Sequence, residues 1–472
     1  MASSAQSAIV RERSIIPNVT TATRESAVFR RSFRKSFPAA VRGQGAYIWD
    51  ADGKRYLDFS GSAAVNFIGH GVPEISAAMA DQAAKLEFVH TSQFTTPIAE
   101  ECAEELRNFA GEGFRGGCVY FTCGGSESIE TALKLARQYQ SEIGQPNRYQ
   151  VISRQQSYHG STLGALAVSG NRKRREIYLP MVKEFTHVGV PYCYRCKFDC
   201  TDSCFSCGQQ YADEVEQAIA SANGEAAAFI FEPMSGATLG AVTPPPGYLE
   251  KVAEVCRQHG VLLVADEVMT GMGRTGRNFA VEHWNVSPDI LVTAKGLSSG
   301  YAPLGAVIAS RKVVDAIANG SGAFLHGFTY NAHPISVAAG RAVLRFLESR
   351  KLVQAADSQK EGTPAWALRL ALDTLLEIPA VGDVRGLGML FGVEFVADKK
   401  TKQPLPYEKN FAGLVGKAAA SRGLLVYPMQ GSVDGVSGDH LLLAPPAIIT
   451  EEQIQDAVHQ LRDAIRESWN QL

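Results

Sequence analysis

Nowhere do the 472 residues hold a run of about 18 consecutive apolar residues, the length that spans a bilayer, so no transmembrane helix is expected. Net charge is nearly absent as well. Lys and Arg number 46 against 48 Asp and Glu, a formal charge of -2, which gives no reason to expect nucleic acid or a membrane as a partner. Cysteine is sparse and odd in number, nine in all with five between Cys193 and Cys207, so a disulfide scaffold is excluded and a reducing compartment is expected. The first 25 residues lack the continuous apolar core of a secretory signal. Arg11, Arg13 and Arg24 could suit a mitochondrial presequence, but Glu12 and Glu25 dilute it, and the cytoplasm is the expected location with the mitochondrion as the alternative. No Gly-Lys-Ser/Thr follows the glycine pair Gly124-Gly125, so this is not a nucleotide-binding Walker loop.

What is present points to an α/β protein too long for one simple core. The chain is organised around residues 261–300, which open with the apolar run VLLVA, read as a buried strand that delivers Asp266 and Glu267 to its C-terminal end. A second strand-like run, Asp289 to Thr293, delivers Lys295, 29 residues after Asp266. Open α/β sheets bind ligands beyond the carboxyl ends of their strands, so the acid and the amine can face one site. That pair suits a cofactor with a positively charged ring atom and a carbonyl, Asp266 for the ring nitrogen and Lys295 for a Schiff base.

Three further segments end at comparable edges. In FTCGGSESIETALKLARQY a strand runs into a glycine turn and a helix from about Ser126, where Gly125, Ser126 and the helix dipole could hold a phosphate; ordinary N-capping by Ser126 is the bland alternative. The turn after residues 148–156 brings Tyr158 and His159, an aromatic face for a flat ring and a polar neighbour that could equally just hold the turn. AAAFIFEPMSG delivers Glu232, a costly buried carboxylate unless networked.

Taken together with Ala444-Pro445-Pro446, these segments resemble the class III (omega) pyridoxal-phosphate-dependent aminotransferases from about residue 28 to the C-terminus. The resemblance implies fold type I: a large domain with a mainly parallel seven-stranded sheet, plus a smaller α+β lobe formed by the N- and C-terminal segments. The expected division is an arm at 1–27, small-lobe and pocket-loop residues at 28–90, a cofactor domain at 91–344 and a C-terminal domain at 345–472. The cofactor implied is pyridoxal 5'-phosphate, and the reaction is transamination of a primary amine or omega-amino acid with an oxo-acid or other carbonyl acceptor, through a Lys295 aldimine and pyridoxamine phosphate. Decarboxylase, aminomutase or racemase, and phospho-lyase chemistry on the same fold are the alternatives. Lys295 and Asp266 are the catalytic pair; Gly125, Ser126, Tyr158, His159, Glu232 and Val268 surround the cofactor; Thr329 reaches the phosphate of the other subunit. A homodimer with shared active sites follows, with a tetramer as the alternative assembly.

Substrate contacts are less determined. Ala64, Val65, Asn66 and Phe67 fall where the family lines its pocket, although by chemistry alone Phe67 is equally a core residue, and Arg274 lies in a glycine-rich loop near the site. The arginine that many members carry two residues before Ala-Pro-Pro is Leu442 here, and the mobile arginine of others is Tyr427, leaving Arg385, Arg274 or a backbone donor for a carboxylate. Cys193, Cys196, Cys200, Cys204 and Cys207 have acceptable zinc-knuckle spacing in their outer pairs, but the fifth cysteine and the variable position of this loop favour thiols or an occasional disulfide over a metal.

Overall fold

The computed structural model describes residues 26–198 and 204–472. Most of the expected arm at 1–27 and Cys200 lie outside them. The central sheet has seven strands in the order Cys118–Thr122, Gly305–Ala309, Ile290–Thr293, Leu262–Asp266, Ala226–Phe231, Gln150–Arg154 and His187–Val188. Gly305–Ala309 pairs antiparallel with both neighbours, and the other pairings are parallel, as the sequence led us to expect.

Continuous apolar runs make these strands because both sheet faces are covered. Every residue of Ala226–Phe231, Leu262–Asp266, Ile290–Thr293 and Gly305–Ala309 is buried. Side chains alternate between the two faces. Phe229, Phe231, Leu263 and Ala265 join one core, whereas Ala228, Ile230, Leu262 and Val264 join the other. Against the second core packs the helix Gly125–Glu142 through Ile129, Ala132, Leu135 and Ala136. Tyr248–His259 covers the first and stops at Gly260, whose φ of 64° is a left-handed cap that a side chain would strain.

A further helix spans Cys204–Ser221. Cys207, Tyr211 and Val215 continue one buried stripe at four-residue spacing, so Cys207 belongs to the amphipathic face of this helix rather than to a free loop. Cys193 and Cys204 are free thiols, Cys207 is in a disulfide, and among the described residues no group of three His, Cys, Asp or Glu side chains could hold a metal ion. No described helix is long and apolar enough to cross a membrane.

The smaller lobe joins the two ends of the chain. Ala40–Gln44, Tyr47–Asp50 and Arg55–Asp58 form a meander whose last strand pairs in parallel with Leu424–Leu425. A second four-stranded sheet runs Val381–Leu387, Leu390–Phe395, Asp439–Leu443, Tyr427–Gln430. Its covering helix Glu451–Trp469 starts in a capping box: Gln453 N–H donates to Thr450 Oγ1 at 3.2 Å and Thr450 N–H to Gln453 Oε1 at 3.0 Å.

The lobes approach closely at Gly392, where an added Cβ would stand 2.0 Å from the carbonyl oxygen of Gly240. Backbone on both sides leaves nothing soft to yield. Gly392→Ala is expected to destabilise the protein by about 1–3 kcal/mol; a thermal midpoint unchanged from wild type would show that the lobes can part freely there.

Candidate active site

Parallel strand order puts the C-terminal ends of Ala226–Phe231, Leu262–Asp266 and Ile290–Thr293 side by side, and each delivers one ionisable side chain within a residue or two of its end: Glu232, Asp266 and Lys295. They line a single cavity of about 450 Å³. Gly125, Ser126, Tyr158, His159 and Val268 line it too, so eight of the nine cofactor positions expected from the sequence meet in one place. Glu267 does not. Strand alternation turns it to the other face, where it accepts from Val281 N–H at 2.8 Å and from Thr270, and burial pushes its carboxyl up to about 7.

Lys295 opens a short 3₁₀ turn with a φ of 39°, a left-handed conformation that only glycine adopts without cost. Such strain concentrates at functional positions. The amine keeps some surface open to the cavity but is otherwise enclosed by protein. Burial pulls its pKa down from 10.5 to about 8; Asp266 and Glu232 oppose that shift, while Arg274 and Arg174 add to it.

Asp266 is held from two sides. His159 in its Nδ1–H tautomer donates to Oδ2 at 2.7 Å, and Val268 N–H donates to Oδ1 at 3.1 Å. The other ring nitrogen of His159 is buried with no hydrogen-bond partner. Glu232 accepts from Tyr158 N–H at 3.3 Å and Gly236 N–H at 3.1 Å, and burial raises its pKa.

At the opposite wall the helix Gly125–Glu142 begins with no side chain capping its first turn. Ser126 is therefore not the N-cap. It sits in the first turn, and its Oγ accepts from Ser161 N–H at 3.0 Å. A Cβ on Gly125 would stand 3.0 Å from Val268 Cγ1, so glycine lets the helix end meet the strand loop. Uncapped N–H groups at a dipole's positive end form an anion site.

A primary amine set deep beside a held carboxylate, an aromatic ring and an uncapped helix N-terminus fit a flat pyridine aldehyde bearing a phosphate. These features define a fold-type I pyridoxal-phosphate enzyme. The class-III aminotransferase family model matches residues 29–465, and the chain belongs to that family. It is 39% identical to YodT, an uncharacterised aminotransferase of Bacillus subtilis, over 92% of this chain and 96% of that one. A rice protein named probable gamma-aminobutyrate transaminase 3, mitochondrial, is 33% identical over 90% of this chain and 81% of its own. The omega transaminase of Pseudomonas jessenii, solved in complex with PMP, superposes with a TM-score of 0.85 at 30% identity, covering 92% of this chain and 93% of that one. The chain is accordingly a pyridoxal-phosphate-dependent aminotransferase.

The substrate positions expected from the sequence are placed differently. Of residues 64–67 only Val65 lines the cavity. Phe67 is a core residue with the Arg274 guanidinium 4.7 Å above its ring. Arg274 itself is buried and donates to the carbonyls of Asn66 at 2.7 Å, Pro445 at 2.7 Å and Ala444 at 3.1 Å, so its fork is spent on backbone rather than free for a substrate. Arg385 is engaged with Asp383 at 2.9 Å, Glu394 at 2.8 Å and the Leu239 carbonyl. Leu442 and Tyr427 face each other across paired strands and pack behind Met234, Ala237 and Met269, which do line the cavity. Thr329 lies exposed on a turn outside the lining of this chain's cavity. Sequence reasoning missed Met234, Met269 and the wall Tyr301-Ala302-Pro303, although their closeness in sequence to Glu232, Asp266 and Lys295 was a usable signal.

Capture of the cofactor aldehyde needs a neutral Lys295 amine. Its rate in the apoenzyme, followed by the visible absorbance that appears on adding pyridoxal phosphate, should rise with pH to about 8 and level off above it. A rise continuing towards 10.5 would mean the amine is not depressed.

Proposed function

We propose that the enzyme moves the amino group of a primary amine or omega-amino acid to an oxo-acid or similar carbonyl acceptor, and that it does so as a homodimer in the cytoplasm. The observation that carries this reading is the enclosed amine of Lys295, its pKa lowered by burial, set among Asp266, Glu232 and an uncapped helix end in one cavity.

Bound pyridoxal phosphate supplies an electron sink and a carrier for the amino group. Gly125 and Ser126 bind its phosphate end through their N–H groups. Asp266, oriented by His159, gives the negative charge that a protonated ring nitrogen requires. Lys295 Nζ would be the base that takes the proton from the amine-bearing carbon of the substrate. Met234, Met269 and Val268 make that side of the cavity apolar, excluding water and favouring a neutral substrate body.

An omega-amino donor agrees with the name of the rice relative, which concerns gamma-aminobutyrate. Support for the dimer comes from the turn that carries Thr329, where Leu325 and Tyr330 are 76% and 57% exposed in the single chain. Apolar side chains so exposed beside a cofactor cavity suit a partner surface, and a partner's Thr329 could then complete the site; a tetramer is the larger alternative.

The test is the half-reaction of the purified holoenzyme with a panel of amines. Conversion of the bound cofactor to its pyridoxamine form by primary amines, and no conversion in Lys295→Ala, is the expected result. Release of carbon dioxide or phosphate without that conversion would assign the site to a different pyridoxal-phosphate reaction.

A further inference from the structure

With Arg274 and Arg385 both engaged, a carboxylate-bearing substrate still needs a cation. The short basic helix Arg172–Arg175, sequence RKRR, holds one. Arg174 lies with its guanidinium carbon 4.4 Å from the centroid of the Tyr158 ring, and Tyr158 lines the cavity. Its neighbour Lys173 is taken elsewhere: its Nζ stands 3.4 Å from the centroid of the Tyr407 ring in the C-terminal lobe. Asn171 Oδ1 accepts from Arg174 N–H at 3.2 Å and fixes the turn from which the side chain departs.

Arg174 is half-buried, and among the described residues no carboxylate pairs with it. Stacking occupies only the face of a guanidinium, so the N–H groups around its edge remain open for a planar, bidentate acceptor. The charge is also felt inside: it is one of the two cations that lower the affinity of the Lys295 amine for its proton.

We propose that Arg174 is the residue that docks the remote carboxylate of an omega-amino acid donor at the Tyr158 rim of the cavity. Arg174 is outside the cavity lining, so a carboxylate bound there lies away from Lys295, as in donors whose amine and acid are at opposite ends. Neutral amines use the same apolar wall without it. This rests on the transamination reading and names the substrate class within it.

The test compares wild-type holoenzyme with Arg174→Ala and Arg174→Lys in the half-reaction with 4-aminobutyrate and with 1-phenylethylamine, and measures butyrate binding by calorimetry. Losing a charge-assisted pair is expected to raise the half-saturating 4-aminobutyrate concentration and the butyrate Kd by about tenfold or more, with 1-phenylethylamine changed by less than about twofold and partial recovery in Arg174→Lys. Thermal midpoints near wild type confirm that the variants fold. An equal loss for both amines would reduce Arg174 to a support for Tyr158 and overturn the proposal, as would unchanged handling of 4-aminobutyrate and butyrate, or no butyrate binding by wild type. Failure of wild type with both amines would instead overturn the transamination reading, while the butyrate measurement still reports on Arg174.

Discussion

The site depends on keeping a lysine amine out of water next to two carboxyl groups. Enclosure alone pulls Lys295 towards neutrality, Asp266 and Glu232 pull it back, and the balance lies near pH 8. That compromise leaves an appreciable fraction of nucleophilic amine near neutral pH without abandoning the carboxylates. It is only possible because each acid is separately held: Asp266 by His159 and Val268 N–H, Glu232 by two backbone N–H groups. Strand register is therefore the deepest constraint. Asp266 pairs with Val292 and Val264 with Ile290, and a slip of one residue would turn Asp266 to the face where Glu267 now lies.

The second constraint is how the lobes close over that edge. Arg274 gathers the pocket loop through Asn66 and the C-terminal loop through Ala444 and Pro445. A guanidinium with only carbonyl acceptors is costly to bury, and Phe67 beneath it and Asp58 nearby offset part of that cost. An arginine close to a catalytic lysine thus need not serve the substrate. Here it joins three segments of chain distant in sequence, and its removal would leave several buried carbonyls without donors.

The framework was legible because short-range chemistry encodes it. Buried strands are apolar runs, their ends carry Glu232, Asp266 and Lys295, and a glycine turn precedes the helix at Gly125. Residues that act across the fold had no such signature. Arg274 meets Ala444 170 positions away, and Arg385 meets Leu239 146 positions away, so nothing local distinguishes them from free cations. Leu442 and Tyr427 were expected at the substrate, and a strand pairing that the local sequence does not announce puts them in a layer behind the wall. Arg174 was hidden differently, within a run of four basic residues in which nothing local sets it apart from Lys173, whose amine lies over the Tyr407 ring instead. Cys207 was obscured because the cysteine cluster reads as a variable loop, whereas this cysteine acts as a small apolar residue on a helix stripe.

That layered construction bears on how specificity is set. The wall formed by Met234 and Ala237 belongs to the large sheet's loop, but its carbonyls are held by the other lobe: His440 Nε2–H donates to Ala237 at 2.8 Å, and Arg385 donates to Leu239. His440 can serve as that donor without importing charge because burial lowers its pKa to about 4. Arg385, by contrast, is anchored by Glu394 and Asp383 and stacks 4.9 Å from the centroid of the Tyr192 ring. The reacting groups are thus fixed by the strand ends of the large sheet, while the loop that carries Met234 and Ala237 is held in place by side chains of the other lobe. Substitutions in the C-terminal lobe can reshape the apolar wall without touching Lys295, which separates the chemistry common to the family from the choice of substrate.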